Sequence, residues 1–112
     1  MTEYTVGQVN SYIKNMMATD PFLGNIYVKG EASNVKYHSS GHIYFSIKDE
    51  TGAVACVMFR GNAMTGLGFR MENGQQIIAH GSINVYERDG RYQLYVQDIR
   101  LAGTGSLYEE YE

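Results

Sequence analysis

The spacing of apolar residues along this chain changes once, near residue 20. Before that point Val9, Tyr12, Ile13, Met16 and Met17 recur at intervals of three and four, which lays one apolar stripe along a helix. Thr5-Val6-Gly7-Gln8 supplies its start: the Thr hydroxyl accepts from the third helical N–H and the Gln side chain returns to the cap backbone. Gly7 weakens the first turn slightly, and Asp20-Pro21 ends the helix. The stripe reads as a face packed on the rest of the fold rather than as a cofactor or partner box.

Beyond Asn25 the period becomes 2, and five strands follow: Ile26 to Tyr37, His42 to Lys48, Ala53 to Arg60, Gln76 to Tyr86 and Arg91 to Leu101. Gly30 sits inside the first, where a bend would let a long strand coil and shift the phase of its side chains. Asp49-Glu50-Thr51-Gly52 and Glu87-Arg88-Asp89-Gly90 are tight hairpin links, the second carrying the strong Asp-Gly turn pair. Gly61 to Gly74 is a longer connection, in which Asn62-Ala63-Met64 could form a helical turn.

Alternation then sorts the side chains. Val28, Val35, Ile43, Phe45, Ile47, Val54, Cys56, Met58, Ile77, Ala79, Gly81, Ile83, Val85, Leu94 and Val96 face inward. Tyr27, Tyr37, Tyr44, Tyr86, Tyr95 and Phe59 face outward, with lysines and amides between them, and so do Ala55 and Val57. The predicted fold class is all-β with one N-terminal α-helix, built as a five-stranded antiparallel Greek-key barrel of the OB type. Closure is favoured over an open sheet because Gly30 and Gly81 provide bends and because a barrel removes long apolar edges. Residues 1–22 read as a helical extension packed on the barrel, 23–103 as the barrel, and 104–112 as a linker and the start of a truncated helix.

At 112 residues the chain is one domain, large enough to bury roughly two thirds of its unfolded surface without a staple. Its single cysteine, Cys56, excludes an internal disulfide and suits a reducing compartment. Neither a secretory leader nor 18 consecutive apolar residues is found, so the expectation is a cytoplasmic location and no membrane partner. The net charge of −3 argues against nucleic acid less than it first suggests, because Glu109, Glu110 and Glu112 supply three of the twelve acids. Lys29, Lys36 and Lys48 lie in or beside the aromatic-rich runs, which makes the local field positive and any grip salt-sensitive.

An intrinsic active site is not expected. His38, His42 and His80 lack metal-ligand spacing, the acids of the hairpins are explained by turn chemistry, and the glycines of Gly61 to Gly74 lack a phosphate-loop ending. No cofactor is implied. Binding is better supported: His42, Tyr44, Ser46 and Lys48 share one face of the second strand, a set that can stack a base and hold a phosphate. Phe59-Arg60 would make a further stacking and phosphate corner.

The runs Gly30-Glu31-Ala32-Ser33-Asn34, Ser39-Ser40-Gly41-His42-Ile43-Tyr44-Phe45, Ile47-Lys48-Asp49 and Cys56-Val57-Met58-Phe59-Arg60-Gly61-Asn62 resemble the N-terminal domain of exodeoxyribonuclease VII large subunits. So do Asp20-Pro21, Tyr92-Gln93-Leu94-Tyr95-Val96 and Ala102-Gly103-Thr104-Gly105. The resemblance implies an OB-fold that binds single-stranded DNA for a nuclease degrading single strands from both ends to oligonucleotides. It also implies a catalytic domain and a small-subunit partner that engage parts of the polypeptide beyond these residues. The binding role carries over to Ser33, Asn34, Lys36, Ser39, Ser40, His42, Tyr44, Lys48, Arg60 and Asn62; Lys29, Tyr37 and Phe59 join them on the reading of the residues themselves. Ala55 and Val57 depart from what the role would favour, since neither offers a cation. Two alternatives stand beside this reading: a module that positions the nuclease or its small subunits, and an RNA-binding OB domain of the kind that recognises tRNA anticodons.

Overall fold

Five strands cannot alternate in direction all the way round a closed ring, so one neighbouring pair must run parallel. The computed structural model, which describes residues 1–102, places that pair at the closure of the barrel. The elements are α1 (Val6–Ala18), β1 (Ile26–Tyr37), β2 (Ile43–Lys48), β3 (Ala53–Met58), α2 (Arg60–Gly66), β4 (Gln76–Tyr86) and β5 (Arg91–Leu101). The strands close in the order β1-β2-β3-β5-β4, all antiparallel except β3 with β5, which pair Cys56 with Leu94 and Val57 with Tyr95. The purely antiparallel barrel expected from sequence is corrected on that point. His42 and Phe59-Arg60 lie outside the strands assigned to them; Phe59 caps α2 and Arg60 begins it. The linker and truncated helix expected at 104–112 fall outside the described residues.

Each strand turns its apolar set into the barrel. Ala32, Ile43, Phe45, Ile47, Cys56, Met58, Ile77, Ala79, Leu94 and Val96 form one interior cluster, joined by Met71 from the connection after α2 and by Ile99. Alternation alone would turn residue 98 inward after Val96. A bulge in β5, where His80 faces Asp98 but Gly81 already faces Val96, moves the inward position to Ile99.

β1 pairs with a different strand along each half. Ile26 to Glu31 pair with β4 and Glu31 to Tyr37 with β2, so Glu31 faces both Gln76 and Lys48. The strand can turn there because Gly30 has no side chain: a Cβ would lie 2.5 Å from Ile47 Cγ2 and 2.8 Å from the Lys48 carbonyl oxygen. The phase does not shift at Gly30, however. Gly30 and Ala32 are both buried, and the shift falls between Ser33 and Lys36. There Asn34 adopts φ 53, and the Val35 N–H donates to Asn73 Oδ1 at 2.9 Å. Asparagine tolerates that left-handed conformation better than most residues.

The capping box at the start of α1 forms in full: Thr5 N–H donates to Gln8 Oε1 at 2.8 Å and Gln8 N–H to Thr5 Oγ1 at 3.1 Å. Of the predicted packing stripe only Met17 is partly covered. Val9, Tyr12, Ile13 and Met16 are exposed, and α1 buries no residue fully. What docks is the neighbouring line Asn10, Lys14 and Met17. Asn10 Nδ2 donates to the Glu87 carbonyl at 3.0 Å and Lys14 Nζ to Glu87 Oε1 at 3.3 Å. The turn between β4 and β5 offers carbonyls and a carboxylate rather than apolar surface, so the polar line of the helix meets it.

Candidate nucleic-acid interface

Antiparallel register puts directly opposed residues on the same face, which assembles the outer surface of β1-β2-β3 row by row. Glu31 lies beside Lys48 and Ala53; Ser33 beside Ser46 and Ala55; Lys36 beside Tyr44, Val57 and then Tyr95 across the parallel seam. The last row is the centre of the surface. Val57 points outward between inward Cys56 and Met58, stands apart from the interior cluster, and is only 2% exposed. Its neighbours on either side are the rings of Tyr44 and Tyr95, whose strands lie about 10 Å apart with β3 between them. Read from sequence as a missing cation, Val57 is instead a dry apolar floor between two tyrosines.

Other rings extend this row. His38 stands edge-on to Tyr44, with centroids 6.2 Å apart; Phe59 lies 6.2 Å from Tyr95, and His42 meets Phe59 edge-on at 5.3 Å. The loop His38 to Gly41 closes on itself, with His38 N–H donating to the His42 carbonyl and Gly41 N–H to the His38 carbonyl, both at 2.9 Å. His38 Nδ1 accepts from the Ser40 N–H at 3.1 Å and lies 2.8 Å from Ser40 Oγ. Gly41 takes φ 96 and leaves room for the stem of Arg60, whose Cγ and Cδ lie 2.9 Å from where a Cβ would stand. Arg60 N–H donates to His42 Nδ1 at 2.9 Å. His42 therefore spends one nitrogen joining the loop to the start of α2, and in its neutral form carries its proton on Nε2.

Ser33, Lys36, Tyr44 and Lys48 are thus brought together on one face, with His42, Phe59, Arg60, Ser39 and Ser40 at its rim. Ser46, expected from sequence on this face, belongs to the same surface, as do Tyr95, expected outward, and His38, which the sequence did not mark as a contact. Lys48 pairs with Glu31 at 4.0 Å with both side chains about half exposed, a weak contact that leaves the ammonium free to change partner. Asp49, next along, turns away into its hairpin. The N–H groups of Thr51 and Gly52 and the Thr51 hydroxyl hold its carboxylate below the usual range.

Four expected contacts lie elsewhere. Tyr37 falls on the inward phase opposite Ile43, because the bulge at Asn34 precedes it. Its hydroxyl accepts from the Met71 N–H at 2.7 Å, and the Arg70 guanidinium lies 4.2 Å over its ring. Lys29 projects from the other half of β1, opposite Ile78 of β4. Asn34 is exposed at the bulge itself, and Asn62 on α2 reaches the Val96 carbonyl at 3.5 Å. Among the described residues no group of three His, Cys, Asp or Glu side chains could hold a metal ion.

A closed five-stranded barrel carrying an aromatic and cationic face is the form of an OB-fold, and the family model for "OB-fold nucleic acid binding domain" matches residues 4–100. The chain belongs to that family. It is also 62% identical over 97% of its length to the exodeoxyribonuclease 7 large subunit of Lachnoclostridium phytofermentans, in the N-terminal part of that protein, and 50% identical over 96% to that of Clostridium perfringens strain 13. It spans about a quarter of these relatives, 27% and 26% of their lengths. Solved structures agree on the fold. A replication protein A heterotrimer bound to ssDNA matches with TM-score 0.58 at 13% identity, over 80% of this chain and 66% of that one. Asparaginyl-tRNA synthetase from Pyrococcus horikoshii matches with TM-score 0.58 at 16% identity, over 81% of this chain and 21% of that one.

Proposed function

We propose that this chain binds single-stranded DNA across the outer face of β1-β2-β3, as the N-terminal module of an exodeoxyribonuclease VII large subunit. In that role it captures a single strand for a nuclease that degrades strands from both ends to oligonucleotides. Catalysis, and contact with the small subunit, belong to parts of the polypeptide beyond these residues, and binding itself calls for no cofactor. A cytoplasmic location fits a nuclease of this kind.

The observation that carries the reading is the row Lys36, Tyr44, Val57 and Tyr95. Two tyrosines on strands about 10 Å apart, with a dry floor between them, give bases a surface to stack on, while Lys36, Lys48 and, at the rim, Arg60 supply cations for phosphates. Stacking does not need a particular base, which suits a nuclease that degrades any strand. The experiment is titration of a labelled oligonucleotide into the 112-residue chain. Tyr44→Ala should cost about 1 to 3 kcal/mol of binding, and Lys48→Ala should reduce the slope of log affinity against log salt by about 0.7. Unchanged affinity and slope in the double variant would sink the assignment. Competition with RNA of the same sequence distinguishes the anticodon-like reading, which expects RNA to win.

A second reading has one observation in its favour. The apolar stripe of α1 is uncovered, which suits a module that also positions the rest of the large subunit. Pull-down of the purified remainder of that polypeptide, lost on Tyr12→Ser with Met16→Ser, tests it.

A further inference from the structure

The other half of β1 carries a second outward surface that the proposed DNA groove over β1-β2-β3 does not use. Register places Tyr27, His80 and Asp98 in one row across β1, β4 and β5, and Lys29, Ile78 and Arg100 in the next. The His80 imidazole is held at both nitrogens, Nδ1 lying 2.8 Å from an Asp98 carboxylate oxygen and Nε2 2.5 Å from Asn25 Oδ1. Tyr27 lies flat on this fixed ring, with centroids 4.4 Å apart and planes within 14°. Yet Tyr27 is 60% exposed. One face of its ring is covered and the other is open.

The charges around it are favourable. Lys29 stands two residues further along the same face of β1, about 6.6 Å away. Arg100 lies across the half-buried Ile78 in the same row. Among the described residues neither cation has an acidic partner within 4 Å; of the acids in the adjoining rows, Asp98 lies 2.8 Å from His80 and Glu31 makes a weak contact of 4.0 Å with Lys48.

We infer that this surface is a second single-strand-binding subsite, in which a base stacks on the open face of Tyr27 while Lys29 and Arg100 hold the flanking phosphates. The inference rests on the groove reading, because β1 carries both sites. A strand leaving the groove past Glu31 meets Lys29 at the next outward position of the same β-strand and can wrap round the barrel. The ring is already fixed by its stack on His80, so a base docking there need not first order it. From Lys36 to Tyr27 the path along β1 is about 30 Å, longer than the groove alone, so the subsite matters only for longer strands.

The test compares oligothymidylates of about 6 and about 16 nucleotides, within the range of site sizes for such folds. Tyr27→Ala, and separately Lys29→Glu with Arg100→Glu, should leave the short oligomer within about twofold and weaken the long one about tenfold. The charge variant leaves the Tyr27–His80 stack alone, so it decides the matter if Tyr27→Ala melts early. Wild-type affinity of the charge variant for the long oligomer would overturn the subsite while leaving the groove standing. Loss of short-oligomer binding in that variant, with none in Tyr44→Ala, would overturn the groove and the extension together.

Discussion

Truncating Val57 to alanine tests whether the groove has a floor. The side chain is 2% exposed on a face that would otherwise be open to water, and only the rings of Tyr44 and Tyr95 flank it in register. Removing two carbons costs about 0.8 kcal/mol each in lost burial, and the rings cannot collapse fully into the gap because β3 holds their strands apart, so a cavity contribution brings the total to about 2 kcal/mol. In a domain of this size each kcal/mol moves the melting temperature by about 4 to 8 °C, which gives a fall of about 8 to 16 °C. Thermal unfolding followed by circular dichroism reads it. Oligonucleotide affinity should fall by at least about twofold, because two rings regain rotamer freedom that binding must then remove. A melting shift below about 3 °C, with unchanged affinity, would refute the idea that the two tyrosines rest on a packed floor.

Other consequences are as direct. Gly81→Ala would drive a Cβ into the Tyr95 carbonyl, with Val96 Cα only 2.9 Å away; the variant should be insoluble or strongly destabilised, and a native melting curve would contradict the packing of β4 on β5. Burial pushes the Cys56 thiol from 9.0 up to about 12, so a thiol reagent at pH 8 should label it only in denaturant. Because the native state keeps that proton while the unfolded state loses it, its contribution is complete below pH 9 and stability falls as pH rises toward about 12, a slope that Cys56→Ala should flatten. Asp49 has the opposite sign: its lowered pKa stabilises the fold above 3.8 and the benefit is lost as pH falls through the lower native value, so Asp49→Asn should weaken the acid dependence seen in urea titrations. Asn10→Ala with Lys14→Ala should release α1 from the Glu87 turn, reducing helical ellipticity while the barrel still melts cooperatively.

Alternation made the barrel legible. β1, β4 and β5 run between the residues that periodicity and the turn glycines marked, and Ile43, Phe45 and Ile47 are buried as their spacing requires. The site was legible only in part. Tyr44 and Lys48 fell where a period of 2 puts them, but Tyr37 changed face because a left-handed Asn34 upstream inserts a phase shift that no turn signature announces. Lys29 missed the groove because β1 changes partner from β4 to β2 at Glu31, and a linear pattern does not say which neighbour a residue faces. The burial of Val57 was not legible for a different reason: burial on an outer face comes from residues on β2 and β5, far away in sequence. The stripe on α1 shows the limit of amphipathicity. Apolar residues at helical spacing name a face that favours burial, but here the barrel presents that helix with a carbonyl and a carboxylate.

The parallel junction of β3 with β5 also bears on how the domain breathes. It rests on two register pairs, Cys56 with Leu94 and Val57 with Tyr95, between segments nearly forty residues apart, whereas the still longer-range β1–β4 pairing has six and β2–β3 and β4–β5 are local hairpins. Long loops close late in folding and open early in fluctuation. The same junction carries half of the aromatic row, so any opening of the barrel wall there takes the groove apart. A strand of DNA lying across Tyr44 and Tyr95 would then act as a clasp. Amide hydrogens of β3 and β5 should exchange more slowly when it is bound, and the domain should unfold more slowly although the ligand touches nothing of its interior.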